Sequence, residues 1–234
     1  MQRLLPDDLL VSTELRHGTV FSCLVEASAH ACLLVLQHRD TRHDGVSHLL
    51  PTIHPVVASA HCPVLVVPQT WHSEESVERP LVLAGVDDGT RSAHVAQLAM
   101  AEAARRHARV RLVHGAKDRR GGVADNDPMA YAAWLRRAQR ELEADFSALT
   151  GSQPDVAVEL EVVPEAPAPA LVAKARGAAV VVMGRGRLGL PFVRRLGPVT
   201  ADVLRHSACP VLIVDEGPAA TAPHGRERWR GAIA

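Results

Sequence analysis

Residues 180–214, VVVMGRGRLGLPFVRRLGPVTADVLRHSACPVLIV, hold the pattern best suited to chemistry. The apolar run Ala179–Met183 reads as a buried strand. It ends in Gly184, Gly186 and Gly189, three glycines within six residues. A backbone without side chains can approach a phosphate closely, and a helix starting just beyond offers free N–H groups to an anion. Arg185, Arg187, Arg194 and Arg195 add charge-assisted donors to the same loop. A second acidic corner lies at Asp87-Asp88-Gly89-Thr90, where another apolar run, Leu81–Val86, stops.

Plainer readings stand beside these. The glycines make a tight exit from a strand, and the arginines make a solvated loop. Gly197-Pro198 makes a helix start, since proline suits the first helical position. Asp87 caps a helix. The loop also spells G-x-G-x-x-G, the dinucleotide fingerprint. That fingerprint opens a fold, whereas here it closes one and leaves no strands for a second mononucleotide half. No Walker-type G-x4-G-K-[ST] occurs, and no Ser-His-Asp or Cys-His set stands at the strand ends. His38, His43, His48, His54 and His61 fall in one stretch without the spacing of a metal-ligand set.

The elements that must position the loop follow from periodicity. Residues 91–107 carry Ala93, Ala96, Met100 and Ala103 at helical spacing, in an alanine-rich composition that favours helix. Val110–His114 reads as a strand and 115–127 as a polar loop. Tyr131, Leu135, Ala138, Leu142, Phe146 and Leu149 mark an amphipathic helix over 129–149. Val156–Val163 alternates as a strand, 166–176 is a short helix, and Val211–Val214 is the last strand. Strands alternating with helices predict a parallel sheet covered on both faces, with ligands beyond the carboxyl ends of the strands. Asp87 and Gly184 then share one edge.

The closing stretch is also half of a repeat. Cys62-Pro63-Val64-Leu65-Val66-Val67 matches Cys209-Pro210-Val211-Leu212-Ile213-Val214 at an offset of 209 − 62 = 147. Residues 11–68 match 158–215 without a gap. Two copies of one unit are implied. The second begins near Pro80, with 158 − 80 = 78 residues ahead of its matching part, and the first has ten. A shortened chain or a misplaced start accounts for the difference.

Composition bounds the rest. The 234 residues make one large or two small domains. Twenty-six basic residues balance 26 acidic ones, which gives no case for nucleic acid or a membrane surface. No apolar run approaches the length of a membrane span, and MQRLLPDDLL is no signal peptide. Cys23, Cys32, Cys62 and Cys209 lack metal spacing and read as reduced thiols of a cytoplasmic protein.

Residues 85–114, GVDDGTRSAHVAQLAMAEAARRHARVRLVH, and the 180–214 stretch together resemble the universal stress protein family. The first resembles the family's opening strand–helix–strand with its V-D-G-S turn. The second resembles its closing signature, which in nucleotide-binding members contains G-x2-G-x9-G-[S/T]. The resemblance implies an α/β fold: a doubly wound, five-stranded parallel sheet of order 3-2-1-4-5 over 80–215. A partial domain over 1–70, a linker over 71–79 and a disordered tail over 216–234 complete the chain. Copy one, 11–68, resembles only the last three strands and two helices.

By this resemblance Gly184 and Gly197 hold the first and third signature positions, 197 − 184 = 13 apart. Arg187 stands at the second, with Gly186 and Gly189 nearby, and Pro198 replaces the hydroxyl residue. Asp87 matches the aspartate that contacts nucleotide, and Asp88 replaces the glycine beside it. Val113 and Met183 fall near adenine-pocket positions, and Val199 and Thr200 complete the helix start. Thr200 is a partial substitute for the lost hydroxyl. Pro198 removes a hydroxyl and an N–H together. At about 1.5–3 kcal/mol for each hydrogen bond to a charged group, binding weakens by roughly 10²- to 10⁴-fold.

The implied function is a stress-response protein. Its C-terminal domain takes ATP or another adenine nucleotide weakly, with Mg²⁺, and signals conformation to a protein partner. The alternative is a non-nucleotide interaction module of the same fold. A slow ATPase ranks third, with no general base behind it. Copy one has Gln37, Arg39 and Leu50 where the other has Gly184, Gly186 and Gly197, and is expected to hold no nucleotide. Pairing through the last strands, 64–67 with 211–214, predicts a homodimer or an internal pseudo-dimer. Residues 11–50 are expected to be poorly packed or packed on another chain.

Overall fold

The computed structural model of the chain describes residues 10–38, 50–72, 80–87, 89–115, 128–186 and 196–215. In chain order the described elements are α1 (Val20–Ser28), β1 (Leu34–His38), α2 (Leu50–Ser59), β2 (Val64–Pro68), β3 (Leu81–Gly85), α3 (Gly89–Arg105), β4 (Arg109–Gly115), α4 (Pro128–Gly151), β5 (Val158–Val163), α5 (Pro167–Lys174), β6 (Val180–Gly184), α6 (Pro198–His206) and β7 (Val211–Val214).

All seven strands form one sheet of order β1-β2-β7-β6-β3-β4-β5. The run β5-β4-β3-β6-β7 is parallel throughout, and β1-β2 is a second parallel pair. The two join antiparallel at β2–β7, where Val64, Leu65 and Val66 face Ile213, Leu212 and Val211. The sheet is therefore mixed, with one reversal. The central strands are nearly continuous apolar runs because helices cover both their faces. One core lies under α5, α6 and α2, with Leu83, Val113, Leu171, Met183, Val203 and Ile213. The other lies under α3 and α4, with Val82, Ala96, Met100, Leu112, Phe146 and Val182.

The β1–β2 register is that of β6–β7 displaced along the chain. Leu34 faces Val64 and Val181 faces Val211, so 181 − 34 and 211 − 64 both equal 147. The seam is symmetric under the same offset. Leu65 faces Leu212, which is its own counterpart, 212 − 65 = 147.

Residues 11–68 yield two strands rather than three. Residues 11–16, which align with β5, carry no strand, and Leu10, Val11 and Leu15 are exposed. The reason lies in pairing. In the C-terminal part β5 is held only by β4, and residues 11–68 hold no counterpart of β4 among the described residues. An isolated strand leaves its N–H and C=O groups without a ladder. The cover differs as well. Val182 is wholly buried under α3, while Val35, its counterpart, is 57% exposed.

Candidate functional site

The carboxyl ends of β3, β4 and β6 meet at one edge of the sheet. At that edge residues 184–186 are held one by one. Thr200 Oγ1 donates to the Gly184 carbonyl at 2.8 Å. The Arg185 N–H donates to Val214 O at 3.1 Å and its carbonyl accepts from Gly197 N at 2.8 Å. Gly186 sits at φ +63°, in the left-handed region, directly against Gly197. A Cβ on Gly197 would stand 2.4 Å from Gly186 O, so both positions need glycine. This contact starts α6, whose first residue is Pro198 and whose N-cap, Gly197, supplies no side-chain bond. With no N–H on Pro198, Val199 and Thr200 are the first residues of α6 to offer backbone donors at this edge.

The side chains are distributed less as the motif suggests. The Arg185 guanidinium turns along the edge to the 60–62 turn that precedes β2, which runs antiparallel to β7. It is buried and donates to Ala60 O at 2.5 Å and Cys62 O at 2.8 Å, with Asp215 Oδ1 3.3 Å from its Nε. Thr200 is buried, and its hydroxyl proton is committed to Gly184. Asp87 is exposed and ion-paired with Arg91 at 2.9 Å, while its N–H is taken by Ser92 Oγ at 2.8 Å. Val113 and Met183 are buried in one core, and Met183 Sδ would lie 2.6 Å from a Cβ on Gly85. They floor the edge rather than line an open face. Arg187, Gly189, Arg194, Arg195 and Asp88 lie outside the described residues, as do His43, His48 and the tail 216–234.

Three supports of this edge lie outside the motif. His114 Nδ1 lies 3.1 Å from Val86 O and ties the ends of β3 and β4. Asp145 on α4 accepts from Gly89 N at 3.0 Å at the start of α3. Gly115 admits the backbone of Pro167, whose Cα would be 2.4 Å from a Cβ there. Each joins residues distant in sequence, so no local pattern signals it. Among the described residues no three His, Cys, Asp or Glu side chains group to hold a metal. Cys62 and Cys209 are buried, and burial pushes both thiols up, away from thiolate chemistry. No described helix is long and apolar enough to cross a membrane.

The arrangement is a backbone cradle: a left-handed glycine turn, a proline-started helix and an acidic corner on one sheet edge. It defines a doubly wound α/β protein with its candidate site at the strand ends. Residues 80–215, more than half of the chain, match the model of the universal stress protein family, and the chain belongs to that family. A universal stress protein of Mycobacterium tuberculosis H37Rv is 29% identical over 220 residues, covering 91% of this chain and 68% of that protein. A second from the same organism is 30% identical over 210 residues, covering 88% of this chain and 69% of that one. A solved universal stress protein-type structure from Pseudomonas aeruginosa UCBPP-PA14 has a TM-score of 0.58 at 21% identity, over 86% of this chain and 69% of its own, which shows the shared fold. This chain spans about two thirds of the length of each.

Proposed function

We propose that residues 80–215 form a domain that binds an adenine nucleotide such as ATP, with Mg²⁺, and passes its bound state to a protein partner in the cytoplasm. The observation that carries this reading is the Gly186–Gly197 contact. It fixes a left-handed turn against a helix start and leaves backbone donors of Val199 and Thr200 at the strand edge. Gly184, Gly186 and Gly197 would shape the phosphate cradle. Arg187 would add charge, and Val113 and Met183 would floor the base. Asp87 would meet the polar part of the nucleotide after leaving Arg91.

The bound group supplies no bond-breaking chemistry in this reading. The chain's residues hold and orient it, and α6 and β6 report its presence. Affinity is modest, because the cradle rests on backbone donors. Thr200 and Arg185 are engaged elsewhere.

The β2–β7 seam favours a second reading, a scaffold of the same fold without nucleotide. In it residues 1–70 are a partial copy, and the chain is a pseudo-dimer that pairs its last strands internally. Thermal denaturation of the full chain with ATP and Mg²⁺ separates the two. A saturable rise in melting temperature that disappears in Asp87→Ala supports the nucleotide reading. No rise at millimolar ATP supports the scaffold.

A further inference from the structure

Arg185 sits inside the cradle, with Asp215 against its Nε, yet both of its terminal nitrogens reach the other half of the chain. It is 4% exposed, and it spans 125 and 123 residues to reach the carbonyls of Ala60 and Cys62. Those carbonyls flank His61 in the connection between α2 and β2. The N–H of His61 is in turn held by Ser28 Oγ at 2.9 Å, and Ser28, the last residue of α1, is 1% exposed. A continuous hydrogen-bonded path therefore runs from α1 through the 60–62 turn to Arg185. It ends between Gly184 and Gly186, the two residues clamped by Thr200 and Gly197.

We propose that Arg185 is a positioning residue through which the N-terminal segment sets the shape of the cradle, so that loosening α1 or the 60–62 turn weakens the site from a distance. The guanidinium is always charged, and each buried donor needs an acceptor. If the 60–62 carbonyls move, Arg185 must follow them or lose charge-assisted bonds. Following them drags the 184–186 backbone, where Gly186 has no slack against Gly197. The side chain that a phosphate motif would assign to the ligand thus acts as a strut. The binding half of this inference rests on the nucleotide reading above; the mechanical half does not.

The test uses the full chain and Ser28→Ala, which removes the hydroxyl from His61 and touches nothing in the cradle. Arg185→Lys is the companion, since one ammonium cannot bridge both carbonyls with the guanidinium geometry. Amide hydrogen exchange without nucleotide is read first. Ser28→Ala should speed exchange at least several-fold over 60–64 and also over 184–186 and 196–201, with 81–85 and 109–115 unchanged. Exchange altered only over 20–64 overturns the proposal, whether or not nucleotide binds.

ATP titration is read second. Where wild type binds, each variant should weaken binding about three- to tenfold. The Ser28→Ala/Arg185→Lys double variant should be no weaker than the worse single one, because both break one path. Additive losses overturn the shared path. If wild type binds no ATP, the nucleotide reading fails and the exchange result alone decides the strut.

Discussion

Gly197→Ala places a methyl group where the backbone of the cradle leaves no room for one. The added Cβ would lie 2.4 Å from Gly186 O, 2.8 Å from its Cα and 3.0 Å from its carbonyl carbon. All three are backbone atoms, so no rotamer change relieves the clash. Gly186 is at φ +63° and lies next to Arg185, whose side chain is anchored 125 residues away. Overpacking a rigid site costs about 1–3 kcal/mol, and this geometry belongs at the upper end. A chain of this size loses about 2–4 °C per kcal/mol, which gives a fall in melting temperature of about 5–12 °C. The assay is thermal denaturation followed by far-ultraviolet circular dichroism, with Gly151→Ala as control. No atom lies within 4 Å of a Cβ at Gly151, which ends α4, so that change should leave stability equal or slightly raised. A Gly197→Ala protein melting within 1 °C of wild type would refute the close Gly186–Gly197 contact, and with it the backbone cradle.

Thr200→Val should cost about 1–3 kcal/mol in urea denaturation, because it leaves the buried Gly184 carbonyl without its donor, and Thr200→Ser should restore most of it. Arg91→Ala should change stability by less than about 0.5 kcal/mol, since its pair with Asp87 is exposed on both sides. His54 is half-buried on α2, and its pKa is pushed down by burial first and then by Arg205 and His38. The unfolded chain then binds this proton more readily than the folded one. Stability from this group is whole above the ordinary histidine value near 6.5 and declines as pH falls through the lower folded value. Urea midpoints measured from pH 7.5 to 5 should fall less steeply in His54→Gln.

Much of the sheet was readable from the amino-acid order. Val180–Met183 and Val211–Val214 are too apolar to lie anywhere but between two covered faces, and both are strands. The 147-residue offset also foreshadowed the matching registers of β1–β2 and β6–β7. The third strand that the resemblance implies for 11–68 is absent at 11–16, because a match by offset cannot show that a strand lacks its neighbour. Within the loop, the glycine spacing placed the turn correctly at the end of β6. The fate of Arg185 was not legible. A charged residue in a glycine loop suggests an anion, and its actual acceptors are carbonyls of Ala60 and Cys62 in the other half of the chain. Thr200 misled for the same reason: its hydroxyl serves the strand behind it.

Titration calorimetry of the full chain with ATP and Mg²⁺ tests the central claim most directly. The nucleotide reading predicts saturable one-site binding with a dissociation constant in the micromolar to low-millimolar range, lost in Gly197→Ala and weakened in Asp87→Ala. Heats no different from dilution at millimolar ATP, with the protein folded, would contradict it.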